Sequence, residues 1–259
     1  MPRRIVEGIR AAGDEPFLIA VEELTDPQLA EEVSDAVWVR HPKLRRLLGE
    51  SRKRGCREVT MVGRIPHDRL FSLSPLEMDW TALGLFLKLK DFRADTILKG
   101  IADWLARKGV AVISSIRYLG PYMAKRGVLT NCRPSPTALR DIEFGSRLAR
   151  GLGGLDIGQT VVVKNQSVVA LEAMEGTDQC LQRAGDIAGP GCVVVKLPKP
   201  GQDMRFDVPV IGINTIEKLA KIKAAALAIE EDRTILIDKE TLATANRLGV
   251  PIVGLSTQS

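Results

Sequence analysis

The first half of the chain alternates short apolar runs with amphipathic segments, which limits the folds open to it. The helical stretch at residues 96–108 has Leu98, Ile101 and Leu105 on one stripe, with Asp95 as the predicted N-cap. The apolar runs lie at residues 17–21, 36–39, 58–62 and 110–113. Buried strands alternating with helices are typical of a parallel sheet covered by helices. We predict an α/β fold with two domains, the first a Rossmann-like parallel-sheet domain over residues 1–127.

The second half predicts a mixed α/β domain over residues 128–259. Ser135 and Pro136 form a helix-start pair, with Ser135 as the N-cap. Two strands at residues 160–164 and 168–172 are expected to pair around a tight turn at Asn165. The remaining predicted elements are a helix from Thr177, a strand at residues 192–196, an alanine-rich helix capped by Asn214, a strand at residues 234–237, a helix at residues 239–248 and a strand at residues 250–253.

The first predicted helix, at residues 2–12, has no strand ahead of it. In doubly wound sheets the first helix follows a strand, and the loop between them often binds phosphate. Either the fold begins with a helix, or this chain lacks an N-terminal strand and glycine-rich turn.

The composition favours a soluble, cytoplasmic protein with an anionic partner. No apolar run approaches the roughly 20 residues of a membrane helix, and no signal-peptide core is present. The net charge is +5, but aromatic residues make up only 4% of the 259 residues. The base-stacking pattern of nucleic-acid modules is therefore missing, and we expect no nucleic-acid partner. Moderate basicity fits an anionic small molecule or an anionic membrane surface. The three tryptophans, Trp38, Trp80 and Trp104, are expected in the core.

The loop at residues 199–209 (KPGQDMRFDVP) interleaves cations with carboxylates on a proline-stiffened backbone. That combination suits a phosphorylated substrate and a divalent metal at one site. In an extended segment Asp203, Arg205 and Asp207 would point to one side. The alternative for Asp203 is a turn aspartate that binds its own backbone.

A second acidic loop, residues 172–178 (EAMEGTD), also follows a predicted strand. Glu172 or Glu175 could bind metal or act as a general base. The competing interpretation is a helix entry, with Thr177 as the N-cap and Asp178 favoured by the helix dipole. Lys196 either extends from a strand end to water or neutralises phosphate.

Four motifs in the same order resemble the LpxI type of UDP-2,3-diacylglucosamine pyrophosphatase. They are residues 127–130 (GVLT), 155–164 (LDIGQTVVVK), 172–178 and 199–209, and the similarity extends through residues 59–64 and 79–104. The family typically opens with a strand and a glycine-rich turn that are absent here, since this chain starts at what resembles the proline ending that motif.

The resemblance implies a two-domain, metal-dependent enzyme of lipid A biosynthesis. It would hydrolyse UDP-2,3-diacylglucosamine to UMP and 2,3-diacylglucosamine 1-phosphate (lipid X), with Mg²⁺ or Mn²⁺ as cofactor. The implied catalytic residues are Asp203, Lys199 and Arg205; the substrate-binding residues are Gln202, Lys196, Thr177 and Gln159; the metal ligands are Asp203, Asp207, Glu172 and Glu175.

The expected partners are the acylated sugar nucleotide, a transient contact with the inner-leaflet membrane surface, and a second copy of the chain in a homodimer. The rival interpretation is a sugar-nucleotide-binding protein without catalysis, derived from such an enzyme.

Overall fold

The computed structural model describes residues 1–40, 43–63, 79–91, 94–155 and 157–257. The chain divides into two units, one formed by Met1–Leu119 with Asp203–Phe206 and one by Gly120–Gln202 with Asp207–Ser259. The predicted domain boundary lay after residue 127, with all of residues 128–259 in one domain. In the structure the short segment Asp203–Phe206 groups with the first unit.

Two parallel strand pairs carry the first unit. Strand β1 (Phe17–Val21) pairs with β2 (Asp35–Val39), and β3 (Glu58–Thr60) pairs with β4 (Ala111–Ile113). Parallel pairing agrees with the prediction, but the described residues form two separate ladders and not one Rossmann-like sheet. The described helices of this unit are α1 (Pro2–Ala11), α2 (Pro27–Glu32), α3 (Leu44–Lys53), α4 (Trp80–Phe86) and α5 (Ala94–Arg107).

Two details of this unit differ from the prediction. Helix α5 begins at Ala94, so Asp95 lies inside its first turn and not at the N-cap. Trp104 packs against the buried residues of α5 and β4, but Trp80 is 83% exposed. Placing Trp80 in the core was wrong, because α4 turns this side chain away from the neighbouring helices.

A six-stranded mixed sheet organises the second unit, in the order β5-β12-β10-β8-β6-β7. Its centre is parallel, and β6 runs antiparallel to both β8 and β7. The strands are β5 (Gly127–Val128), β6 (Thr160–Lys164), β7 (Ser167–Leu171), β8 (Val193–Lys196), β10 (Ala226–Glu230) and β12 (Ile252–Leu255), while β9 (Val210–Ile211) and β11 (Ile235–Leu236) form a separate parallel pair.

Helices cover both faces of this sheet. Helix α6 (Pro136–Gly154) packs on one face, and α7 (Thr177–Ala188), α8 (Ile213–Lys221) and α9 (Lys239–Leu248) pack on the other. The close approach of α6 requires Gly145, since a Cβ there would lie 2.8 Å from Cγ2 of Val195. The mixed α/β prediction for this region is confirmed.

Local signals of the second unit mostly agree with the structure. Ser135 caps α6 by accepting a hydrogen bond from the amide of Ala138 at 3.1 Å. The alanine-rich stretch is different: α8 ends at Lys221, and Ala226–Glu230 is the fully buried central strand β10. Gly212 is the N-cap of α8, so Asn214 lies within the helix. No helix among the described residues is both long enough and apolar enough to cross a membrane.

The β6–β7 hairpin depends on a buried carboxylate from α6. Asn165 and Gln166 have φ values of 51° and 55°, which non-glycine residues adopt reluctantly. Both amides of this turn donate to Asp141, at 2.9 Å from Asn165 and 2.7 Å from Gln166. Asp141 is 2% exposed, and its two carboxylate oxygens accept the hydrogen bonds of both turn amides.

Asp141→Ala should therefore lower the free energy of unfolding by about 3 kcal/mol, because the two turn amides lose a buried, charged acceptor. Chemical denaturation measures this loss. Asp186→Ala is the matched control, since Asp186 is an exposed aspartate bonded to Gln182, and it should change stability by less than about 1 kcal/mol. Equal losses in the two variants would contradict the role given to Asp141.

Candidate functional site

Lys196 ends β8 as a buried cation. It is 8% exposed and lies opposite Thr160 in the antiparallel ladder with β6. Its Nζ donates a hydrogen bond to Oγ1 of Thr177 at 2.8 Å. A buried ammonium is unfavourable unless polar partners compensate for lost water. The interpretation of Lys196 as a chain reaching out to solvent therefore does not fit its burial.

Thr177 connects this lysine to a carboxylate. Its hydroxyl accepts from Lys196 and donates to Oε1 of Glu172 at 2.9 Å. Glu172 directly follows β7 and is 7% exposed, and its amide donates to the carbonyl of Thr160 at 2.9 Å. Two of the sequence motifs thus meet at one edge of the sheet. Glu172, Thr177 and Lys196 form what we call the lysine cluster.

Thr177 has a different local role from the one predicted. The N-cap of α7 is Gly176, which has φ of 80°, and Thr177 is the first helical residue. Its hydroxyl forms hydrogen bonds with Glu172 and Lys196 and does not cap the helix.

Burial lowers the pKa of Lys196 from its ordinary value. The carboxylates of Glu172, Asp207 and Asp178 act in the opposite direction, with Glu172 the strongest. Four charged groups are therefore close enough to interact, and the cation is surrounded by negative charge on this side of the sheet.

Three buried oxygens in or beside the cluster have no hydrogen-bond partner among the described residues. They are Oε2 of Glu172, Oε1 of Gln159, and Oγ1 of Thr160, which lies opposite Lys196 in the ladder. Gln159 is held in place because its carbonyl accepts from the amide of Leu197 at 3.0 Å. The neighbouring Gly158 is packed so closely that a Cβ would lie 2.0 Å from the carbonyl oxygen of Glu172. Buried polar atoms normally have hydrogen-bond partners, so these three oxygens are candidates to bind a ligand, a cation or water.

Gln202 fixes the loop that follows β8. Its Oε1 accepts from the amide of Lys199 at 2.8 Å, and its Nε2 donates to Oδ2 of Asp207. Gln202 is 9% exposed, and both ends of its amide are used within the loop. Gln202, predicted as a substrate-binding residue, holds Lys199 and Asp207 in position.

Asp203 and Arg205 form a tight pair in the first unit. The guanidinium of Arg205 donates to both carboxylate oxygens of Asp203, with the shortest contact 2.6 Å from Nη2 to Oδ2. Hydrogen bonding from Arg205 lowers the pKa of Asp203, partly opposed by burial. Asp203 also accepts from the backbone amide of Arg205 at 3.1 Å, so the turn-aspartate alternative describes its local geometry.

The expectation of an extended segment with Asp203, Arg205 and Asp207 on one side was wrong. The amide of Phe206 donates to the carbonyl of Asp203 at 3.0 Å, which closes a turn. Phe206 packs against the core of the first unit, and Oγ of Ser114 donates to the carbonyl of Met204 at 2.6 Å. These contacts hold the segment in a turn that an isolated strand pattern does not reveal.

Glu175 is used to brace the start of α7. Its Oε1 pairs with Nη2 of Arg183 at 2.5 Å, and its Oε2 accepts from the amide of Ala173 at 3.0 Å. Hydrogen bonds from its own backbone amide and from Arg183 lower its pKa.

The four predicted metal ligands differ in their fit to a divalent cation. Asp203 and Glu175 each have an arginine on their carboxylates. Glu172 keeps one buried oxygen without a partner among the described residues, and Asp207, whose Oδ2 accepts from Gln202, interacts electrostatically with Lys196. Among the described residues, no three histidine, cysteine or acidic side chains group as a metal site. Mg²⁺ commonly uses one or two protein carboxylates together with water and substrate phosphate. Glu172 and Asp207 fit that arrangement, and Asp203 and Glu175 as positioned do not.

A second charged group in this unit was not predicted from the sequence. Glu230, the last residue of β10, is 1% exposed and pairs with Arg150 at 2.9 Å and Arg233 at 3.4 Å. Its neighbour Ile229 lies opposite Lys196 in the ladder, so Glu230 is at the same edge of the sheet. Guanidinium groups held this way can bind phosphate. The sequence did not point to Glu230, because the alanine-rich stretch before it was predicted to be a helix.

Comparison with known proteins gives concordant matches over both units. The model of the LpxI N-terminal domain matches residues 1–121, and that of the LpxI C-terminal domain matches residues 125–253. A curated relative from Caulobacter vibrioides, named UDP-2,3-diacylglucosamine pyrophosphatase LpxI, is 28% identical over 267 residues. That alignment covers 100% of this chain and 95% of the relative.

The burial of Lys196 predicts that the free energy of unfolding depends on pH. Between its lowered pKa and the ordinary value of about 10.5, the unfolded chain binds more protons than the folded one, so the free energy of unfolding rises with pH. Wild type should therefore gain stability over Lys196→Met as pH approaches about 10. Lys125→Met, at an exposed lysine, should show no such change. Parallel pH curves for wild type and Lys196→Met would contradict the assignment.

Proposed function

This chain belongs to the LpxI family, and we propose on that premise that it hydrolyses UDP-2,3-diacylglucosamine to UMP and 2,3-diacylglucosamine 1-phosphate (lipid X) in lipid A biosynthesis. The reaction would depend on Mg²⁺ or Mn²⁺. The lysine cluster supports the proposal most directly, because it places a buried cation next to a carboxylate oxygen that has no hydrogen-bond partner in the described part of the chain. A phosphate and a divalent cation would satisfy both.

Hydrolysis of a pyrophosphate requires that charge on the transferred phosphoryl group be neutralised and that a water molecule be oriented for in-line attack. Lys196 suits the first task. One of its three N–H donors binds Thr177, which leaves donors for phosphate oxygens. Since the ammonium is already out of water, its attraction to phosphate is stronger than that of an exposed lysine.

Glu172 suits the second task. Its Oε1 is held by Thr177, while its buried Oε2 can accept a hydrogen bond from water or bind a cation. Glu172 and Asp207 are the residues that would hold the metal. Bound there, a divalent cation supplies positive charge to the phosphate oxygens. Gln202 acts indirectly, because it sets the position of Asp207.

We assign Arg205 and Lys199 to further neutralisation of the pyrophosphate, on the ground that both lie in the family motif at residues 199–209. Asp203 holds the Arg205 guanidinium through three side-chain contacts of 2.6 to 3.1 Å. Its role is therefore to position Arg205. The resemblance assigns water attack to the phosphorus nearer the sugar, which gives UMP as the leaving group.

Purified protein with Mg²⁺ or Mn²⁺ should release UMP from UDP-2,3-diacylglucosamine, and excess EDTA should abolish the release until cation is added back.

Glu172→Gln should lower kcat by on the order of 10²-fold, since it removes the charge from the unbonded oxygen. Glu175→Gln is the matched control and should retain most activity, because the Glu175 carboxylate forms an ion pair with Arg183.

Full turnover in excess EDTA would contradict metal dependence. Substrate binding without any UMP release would favour the rival function, a sugar-nucleotide-binding protein without catalysis. Equilibrium binding measured on the same preparation distinguishes a protein that binds substrate without hydrolysing it from a preparation that is inactive.

Asp203→Ala should lower kcat by on the order of 10²-fold or more while substrate binding survives, because Arg205 loses the group that orients it for the transition state. Asp35→Ala is the matched control. Asp35 makes a similar two-oxygen pair with Arg54 at 2.5 and 2.8 Å in the same unit, outside the motif loops. The control should keep near-normal kcat. Melting temperatures report folding of both variants, and a folded Asp203→Ala enzyme with more than about half of wild-type kcat would remove Asp203 from the machinery.

A further inference from the structure

Helix α4 has an apolar outer face. Trp80 is 83% exposed and Leu87, its C-cap, is 79% exposed. Seven residues span nearly two helical turns, so these side chains lie on the same side. Ala82 and Leu85 point the opposite way and are buried against Leu44.

The sequence of α4 has no polar face to present to water. From Trp80 to Leu87 it reads WTALGLFL, with Thr81 as its one polar residue. A surface helix of a globular protein normally has charged or polar residues opposite its buried stripe. In the described part of the first unit, Trp80 and Leu87 are the two exposed large hydrophobic residues. The outer face of α4 is therefore exceptional within this unit.

Cations flank the helix at both ends. Lys88 and Lys90 follow Leu87 and are exposed. At the other end Asp79 caps α4 by accepting from the amide of Ala82 at 2.7 Å, and it also accepts from the amide of Arg45 at 2.8 Å. That second bond ties the start of α4 to the start of α3, where the exposed cations are Lys43, Arg45 and Arg46.

We propose that α4 and these five cations form a surface that docks reversibly on a bilayer containing anionic lipids. Trp80 and Leu87 would enter the boundary between headgroups and acyl chains, where tryptophan is favoured. The cations would face anionic headgroups, each strengthening binding by about fivefold near the surface. The charge complementarity at both ends distinguishes a lipid surface from a purely apolar partner.

The need for a membrane-binding surface rests on the proposed function. A diacylated sugar nucleotide resides in a membrane, so an enzyme without a membrane-spanning helix among its described residues must approach the bilayer to reach it. Two apolar side chains and a few cations give weak, salt-dependent binding, which permits release after turnover.

The test uses full-length protein without substrate, sedimented with vesicles of phosphatidylcholine alone or mixed with phosphatidylglycerol. Wild type should bind the mixed vesicles, bind less at high salt, and show a blue shift of tryptophan emission. Trp80→Ser combined with Leu87→Ser should reduce binding by about tenfold or more. Lys88→Gln combined with Lys90→Gln should do the same on mixed vesicles.

Matched controls come from the second unit. Ile187→Ser removes an apolar residue that is 64% exposed on α7, and Arg140→Gln with Arg147→Gln removes two cations from α6. Both should bind as wild type. Because Trp80→Ser with Leu87→Ser could alter folding, brominated lipids provide a second measurement on wild type alone, in which Trp80 should be quenched.

Failure of wild type to bind anionic vesicles, unchanged binding by the Trp80 and Leu87 variant, or absence of quenching would overturn the proposal. A change in oligomeric mass of that variant by light scattering would also overturn it, since a second copy would then cover the face. The variant should hydrolyse detergent-dispersed substrate at the wild-type rate. Vesicle binding needs no turnover, so its outcome is independent of the proposed chemistry.

Discussion

The burial of one ammonium group, that of Lys196 at the end of β8, is the constraint on which the rest of the site depends. Such a group needs polar partners inside the protein. They come from Thr177 and Glu172, which lie at the start of α7 and just beyond β7. The β6–β7 hairpin must therefore bring Glu172 to the Lys196 edge, and Gly158 must stay small enough to let the two segments meet. One electrostatic requirement thus couples two of the sequence motifs to the end of β8.

In the loop after β8, most polar side chains form hydrogen bonds or ion pairs with other groups of the same loop. Asp203 holds Arg205, and Gln202 holds Asp207 while binding the amide of Lys199. Side chains locked in this way lose little conformational entropy when a ligand arrives, which favours a preorganised site. The roles proposed for them are accordingly split between groups that would contact phosphate and groups that position those groups.

Local features of the fold could be predicted because they depend on neighbouring residues. The Ser135 cap and the turn at Asn165 are examples, since each is encoded within a few positions. Strand β10 could not be predicted in this way. Alanine favours helix intrinsically, but residues 226–230 lie between β8 and β12 with both faces covered, and that burial overrides propensity. The misassigned strand also concealed Glu230 and its two arginines.

The sequence by itself determined the α/β class, the family, and the two loops that carry the candidate chemistry. Tertiary structure decided which charges pair. Glu172 and Lys196 are 24 positions apart and meet because β7 and β8 flank β6 in the sheet order. It also decided that Asp203 faces Arg205 and that Trp80 is exposed. The physical reason is that pairing and burial depend on distances between segments, which periodicity and spacing along the chain do not specify.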